Sequence, residues 1–468
     1  MLKTHHNKSL ATTIELSLAS PMFQELGPDA RGLLGTIAFF PQGVCEDKVE
    51  WLFPTVSDGT SIFNVFCILS LTYRSNGFVT MLAPLRDHLR PKDPKLSPIL
   101  CTTKECYLGR LSVGVYPGKP GYEEAQWINS EDVNIEHLLD VFTTVDTDSN
   151  EVWDVCSYFM DHLDWHKPRL VLLGPKIETL ADTHPSKPRC LFSLSKLLAS
   201  VGNHLECKRL LTHTLQLWRD REDDYEVAQT LECLCDTNRR LDLCGEGIQQ
   251  AKEALAIFER LDDKFGQANS LCDLAWFLYE DQQLDAAEEA ASQSIDLLPV
   301  KVDQSLVCRC HRILGRIHSS KGEIESAIDH FEAALRVASF LDWQYEQFWD
   351  HYSMAELFFN QGRFDDSLTH VERAKSYTVN DAYLMGRAMH LQAWFWHEQH
   401  RSREARSEAL GAINAYEKVG ATTDLEKCRD LLRDIEEEEL TISCGSDFNC
   451  ACELAGIVLL LAHIDLPF

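Results

Sequence analysis

The stretch CRCHRILGRIHSSKGEIESAIDHFEAA, residues 308–334, decides the fold, because its small residues recur at the same spacing in five other places. With starts at Pro188, Ala228, Ala268, Cys308, Phe348 and, two residues early, Gly386, six segments come into register with a step of 40 residues. Position 8 is then Ser195, Cys235, Ala275, Gly315, Ala355 and Ala393. Position 20 is Cys207, Gly247, Ala287, Ala327, Ser367 and Ala405, and position 27 is Thr214, Ala254, Ser294, Ala334, Ala374 and Ala412. Small residues make up only a little over a quarter of the chain, so composition does not produce this agreement. Stacked supersecondary units do.

Each segment reads as two antiparallel helices. In the unit that begins at Cys308, Leu314, Gly315 and His318 mark the first helix, Gly322 the turn, and Ala327, Phe331 and Ala334 the second. Leu194, Leu234, Leu274, Leu314 and Met354 fill position 7, and Gln392 breaks it in the last unit. Small residues are required where helices approach closely, since a bulky side chain there overpacks. This is the tetratricopeptide (TPR) pattern, with 40 residues in place of the usual step of about 34. The extra length implies longer helices or longer corners, such as residues 297–303. The expected fold is all-α: a right-handed TPR-like α-solenoid of about six helical hairpins.

The chain has 468 residues, with 44 Lys plus Arg against 73 Asp plus Glu, a formal charge of −29. Such a surface repels phosphate backbones and anionic lipid, which argues against nucleic-acid and membrane partners. Seventeen cysteines without a visible secretory signal suggest reduced thiols and a cytoplasmic setting. Cys207 and Cys235 occupy small-residue positions, where a thiol packs as a small hydrophobe.

Ahead of the repeats, Pro28-Asp29-Ala30 opens a helix that carries Leu33, Leu34, Ile37 and Phe40 and stops at Pro41. Short helices follow over 48–53 and 61–69. Two strands then flank Asn76-Gly77, a strong hairpin signal, before a helix over 84–89. These residues, with the phrases Glu15–Phe23, Leu33–Pro41, 70–75 and 81–87, resemble the winged helix of signal-transduction NTPases of the NACHT and NB-ARC (STAND) kind. The similarity is greatest to large fungal members that end in TPR-like repeats. The resemblance implies a winged-helix-like domain preceding a sensing array.

The same resemblance sets limits. The family's P-loop and acidic metal-binding strand have no match in these residues, so the expectation is a carboxy-terminal part without the NTPase core. Gly114-Val-Tyr-Pro-Gly-Lys119-Pro120 is one residue short of a P-loop and has Pro where Ser or Thr must hold magnesium. The family's Met-His-Asp motif is matched by Met81-Leu82-Ala83, without the His that meets nucleotide. The helix over 61–69 has no Lys or Arg, which argues against DNA binding.

The expected division is a winged-helix-like domain over 1–95, a Pro-rich then acidic linker over 96–150, a helical cap over 151–182, the array over 183–439 and an atypical tail over 440–468. Within the linker, Asp146-Thr-Asp148-Ser-Asn150 imitates a calcium loop but lacks its central Gly and closing Glu. The apolar run over 455–464 is too short to span a bilayer. Cys444, Cys450 and Cys452 lack a second cluster for zinc. No nucleophile elbow, His-Glu-x-x-His or dinucleotide fingerprint occurs, so neither catalysis, a metal nor a cofactor is expected.

First helices line the concave face of such a solenoid. By the TPR pattern, positions 2, 5, 9 and 12 look inward. They place Arg309, Arg312 and Arg316 between Trp276 and Tyr279 on one side and Trp349, Tyr352 and Phe359 on the other, with Arg387 and Trp394 beyond. Arginine and aromatic residues are enriched at binding hot spots, and guanidinium groups suit carboxylates. The Lys/Asn carboxylate clamp of TPR co-chaperones is absent: position 9 carries no Asn. These ten residues are the candidate groove for a protein or peptide. The expected function is a non-catalytic interaction scaffold, the partner-sensing region of a STAND-type protein. Its alternatives are a regulatory fragment docking onto full-length NTPase relatives, a TPR adaptor, and self-association.

Overall fold

A computed structural model describes residues 11–56, 58–112, 125–298, 304–378, 381–419, 421 and 424–438. The P-loop imitation after Gly114, most of the 297–303 corner and the tail over 440–468 lie outside the described residues. The chain divides into two compact units, Met1–Leu197 and Leu198–Phe468.

The first unit begins with α1 (residues 11–18) and α2 (Pro21–Gln24), then α3 (Asp29–Phe39), whose Leu33, Leu34, Ile37, Ala38 and Phe39 are buried. Next come β1 (Val44–Cys45), α4 (Val49–Leu52) and α5 (Gly59–Ile68), the last capped by the Asp58 carboxylate on the Ser61 amide. Strands β2 (Tyr73–Ser75) and β3 (Phe78–Thr80) enclose Asn76 and Gly77, both at positive φ, as the tight hairpin turn requires. The sheet order is β1-β3-β2, antiparallel throughout, with Val79 opposite both Val44 and Arg74. Gly43, at φ +85°, is forced by contact: a Cβ there would stand 2.2 Å from the Val79 carbonyl oxygen. Helix α6 (Ala83–Leu89) follows.

Residues 96–150 differ from the linker expected of them, for they contain α7 (Pro98–Leu111) and α8 (Ala125–Val145). Pro98 breaks nothing, because it sits in the first turn of α7 behind a Ser97 cap, where proline is preferred. The acidic run conceals a helical apolar stripe: Ile128, Ile135, Leu138, Leu139 and Phe142 are all buried. Buried Asn134 accepts from the Gln42 amide at 3.0 Å and donates to the Gly43 carbonyl at 2.9 Å. Buried Glu131 accepts from the Tyr107 hydroxyl at 3.0 Å. The calcium-loop imitation is a helix junction, where Ser149 caps α9 (Asn150–His166); α10 (Gly174–Thr179) and α11 (Lys187–Ser200) follow.

The second unit holds α12 (His204–Asp220), α13 (Asp224–Arg240), α14 (Cys244–Arg260), α15 (Lys264–Glu280), α16 (Leu284–Leu297), α17 (Gln304–Lys321) and α18 (Ile324–Phe340). It continues with α19 (Gln344–Asn360), α20 (Phe364–Ser376), α21 (Ala382–Glu398) and α22 (Ser402–Val419), and closes with α23 (residues 424–438). In chain order α11 to α22 are the twelve helices of six TPR-like hairpins, and α23 follows the last of them. All eighteen small residues at positions 8, 20 and 27 are buried.

The 40-residue step is two steps of 20. Helices α12, α13, α14, α15, α18, α19 and α21 each have 17 residues, and turns of three residues join most neighbours. Residues 202, 222, 242, 262, 282, 322, 342 and 362 all adopt the left-handed conformation. Each turn also carries the bond that defines a Schellman motif, as from the Asp223 amide to the Trp218 carbonyl and from Leu243 to Asn238. The residue that ends one helix therefore stands one position before the cap of the next. Longer helices account for most of the length beyond a standard unit, and the corner after Leu297 for the rest.

Candidate functional site

First helices of successive hairpins touch one another, α13 with α15, α15 with α17, α17 with α19 and α19 with α21. That crowding puts them on the inner side of the curve. Curvature brings the last elements back to the second hairpin: Lys427 on α23 pairs with Asp242, and Arg240 on α13 donates to the Tyr383 hydroxyl on α21 at 2.9 Å. Between them lies a pocket of about 400 Å³, lined by first helices, α23 and the turn at Asp242.

Two indoles organise the lining. Trp276 lies under the guanidinium groups of Arg239, 5.7 Å away, and Arg316, 5.1 Å away. Trp349 lies under those of Arg240, 5.6 Å away, and Arg387, 5.5 Å away. Each ring face attracts cations, more strongly where water is excluded.

The cations are offset by carboxylates, of which Asp236 and Glu356 stand at inward positions of the pattern and Asp273, Glu346, Asp350 and Asp424 do not. Seven basic side chains and five acidic ones line the pocket. Arg309 donates to Asp273 at 2.5 Å and Asn269 at 2.9 Å. Arg312 forks onto Glu346 at 2.8 Å and Asp350 at 2.9 Å, and Arg316 meets Glu356 at 2.5 Å. Arg387 meets Asp424 at 3.0 Å, and Arg239 pairs with Asp236. Burial alone would raise the Asp236 carboxyl, but Arg239 and Arg240 hold it well below the usual range. Burial pushes the Tyr383 hydroxyl up to about 12, so it stays protonated and donates to Asp424 at 2.9 Å while accepting from Arg240.

The ten candidate residues divide by position. Trp276, Arg309, Arg312, Arg316, Trp349 and Arg387 line the pocket. Tyr352 is buried behind it, receiving Arg387 at 3.4 Å. Tyr279 rests against the core between α13 and α17, its ring 6.1 Å from Trp276. Phe359 stacks on Phe395 at 4.1 Å and lies 5.2 Å from Trp394, all within one core cluster. Arg239 stood at an inward position in the sequence. Arg240, Tyr345, Asp424 and Lys427 carried no local signal, because superhelical curvature places them there. Among the described residues no group of histidine, cysteine and acidic side chains could hold a metal. No described helix is long and apolar enough to cross a membrane.

No protein-family model and no curated protein matches the chain. Among solved structures, a STAND protein with a tetratricopeptide repeat sensor from Pyrococcus horikoshii is similar over 93% of this chain, at 12% identity and a TM-score of 0.52. The array has a tetratricopeptide-like fold. This chain spans 66% of that protein's length. A Rap protein complexed with competence and sporulation factor aligns at 11% identity over 68% of this chain and 96% of its own, with a TM-score of 0.46. The quorum sensor NprR from B. thuringiensis aligns at 13% identity over 67% and 92%, with a TM-score of 0.42.

Proposed function

We propose that this chain is a non-catalytic scaffold that holds a protein or peptide on the inner face of its repeat array. The observation that carries this reading is the pocket between α13, α17, α19 and α23, where two tryptophans are flanked by four arginines. Aromatic and arginine side chains held rigid by neighbours bind at low entropic cost. The polar groups of the lining are mostly engaged with one another, an arrangement suited to recognition and offering no poised nucleophile and base. In the first unit, α3, α5 and the β2–β3 hairpin support a winged-helix-like reading. Together with the likeness to a STAND protein described as having a repeat sensor, this supports reading the array as the sensing region of a STAND-type signalling protein.

The test uses the full chain as bait in affinity capture, beside a Trp276→Ala/Tyr345→Ala variant. Tyr345 is 49% exposed and Trp276 half-buried, so the fold should survive, as circular dichroism would verify. Loss of the partner set supports the inner face. Capture of the same set at the same yield by a folded variant removes it.

A further inference from the structure

Among the four arginines laid over the two pocket indoles, three have a carboxylate partner: Arg239 with Asp236, Arg316 with Glu356, and Arg387 with Asp424. Arg240 has none. Its only hydrogen bond among the described residues is from Nη1 to the Tyr383 hydroxyl, and its remaining contacts are the rings of Trp349 and Tyr383. The nearby Asp236 is taken by Arg239, and Asp424 by Arg387 and Tyr383.

We infer that the pocket takes an acidic peptide group, whose carboxylate sits on the open edge of the Arg240 guanidinium beside Trp349. This rests on the reading of the inner face as a binding surface and names what that surface selects. A half-buried guanidinium to which no carboxylate is hydrogen-bonded favours an anion that supplies that bond. Every other arginine of the pocket already has a carboxylate partner. The rings of Trp349 and Tyr345 beside it offer apolar surface for the adjoining peptide. A cation would meet a lining with two more basic than acidic side chains, and a neutral amide would leave Arg240 as it is. The −29 charge of the chain makes this pocket an exception on its surface, which steers an acidic segment to it and penalises binding elsewhere.

The test titrates the full chain calorimetrically with four probes: a triglutamate peptide with a free carboxy terminus, the same peptide amidated, its amidated triglutamine analogue, and inorganic phosphate. Both glutamate peptides should bind, the glutamine analogue at least tenfold more weakly. Arg240→Gln should lower the glutamate affinity about tenfold, and Arg240→Lys, which keeps the charge, should lose less. A cooperative melt above the titration temperature, with the midpoint lowered only by the lost Tyr383 bond, and an unchanged circular dichroism spectrum show that these variants are folded. Equal binding of the glutamine analogue, or an unchanged affinity in folded Arg240→Gln, overturns the inference. Phosphate binding as tightly as the peptides overturns the peptide source in favour of a free oxyanion. Partner capture that depends on Trp276 and Tyr345, with no glutamate binding, overturns the acidic ligand while leaving the inner-face reading intact.

Discussion

Arg240 and Tyr383 stand 143 residues apart in sequence and share a hydrogen bond of 2.9 Å. Tyr383 in turn donates a hydrogen bond to Asp424, which Arg387 also holds, so four side chains from α13, α21 and α23 form one connected chain. It ties the second hairpin to the last elements of the array and sets the far wall of the pocket. Tyr383→Phe removes a link whose loss leaves Asp424, only 6% exposed, with one donor fewer. The expected cost is about 1–2 kcal/mol. Chemical unfolding followed by circular dichroism checks it; a midpoint unchanged from wild type would show that the closure contributes nothing.

Arg312 is a structural cation as well as a pocket residue. It holds Glu346 and Asp350, both buried, and bonds Asp350 through Oδ1, while Oδ2 has no hydrogen-bond partner among the described residues. Arg312→Met is expected to destabilise the array by about 3–5 kcal/mol, because two buried carboxylates lose their counter-ion. Adding Glu346→Met and Asp350→Leu should recover much of that loss. Equilibrium denaturation of the single and triple variants decides between a buried ion cluster and a solvent-screened one.

The tight helix crossings make a separate prediction. A Cβ at Gly315 would lie 2.6 Å from the ring of Phe331, which is itself buried and cannot swing away. Overpacking of this kind costs about 1–3 kcal/mol, more than the roughly 1 kcal/mol that alanine contributes through helix propensity. Gly315→Ala should therefore lower the thermal midpoint, and Phe331→Leu should restore part of it in the double variant although it is destabilising alone.

Acid should loosen the fifth hairpin. His351 Nδ1 and His370 Nδ1 face each other at 3.0 Å, so one donates and the other accepts; a proton on the accepting nitrogen sets two donors against each other, and a second charge anywhere on the pair adds repulsion. Burial lowers both to about 4; the facing ring adds to this at His351, and Arg373 does at both. The unfolded histidines titrate near 6.5, so between about 6.5 and 4 the unfolded chain binds more protons. Stability is complete above that window and falls as pH drops through it. The loss should reach about 2 kcal/mol for each histidine, about 4 kcal/mol for the pair, by pH 5. Melting curves at pH 7.5 and 5.0 for wild type and His351→Gln/His370→Gln test this; the variant should show the smaller pH difference.

The repeats were legible because close helix crossings tolerate only small side chains, and that constraint recurs at positions 8, 20 and 27. The hairpin at Asn76-Gly77 was legible for the same kind of reason, a conformation that few residues accept. The halving of the repeat was hidden, because the left-handed positions hold Glu222, Asp242, Asp262, Gln282 and Asp342 as well as glycines. Helix α8 was hidden because its acids read as a solvated run, whereas Glu131, Asp132 and Glu136 are buried against Lys48 and Arg169. At the pocket, the inward pattern found Trp276, Arg309 and Arg312 but not their neutralising partners. Glu346 and Asp350 stand at other positions of α19, and Asp424 and Lys427 come from beyond the last repeat. Those placements depend on superhelical curvature, which no local pattern encodes.

The central claim, that partners bind the inner face, is tested most directly by site-specific cross-linking. A photoreactive benzoylphenylalanine replaces Tyr345, which lines the pocket, or Phe340, which is 88% exposed at the end of a second helix. The structure predicts a cross-linked partner from position 345 and none from position 340. Equal products from both, or a product from 340 alone, would contradict it.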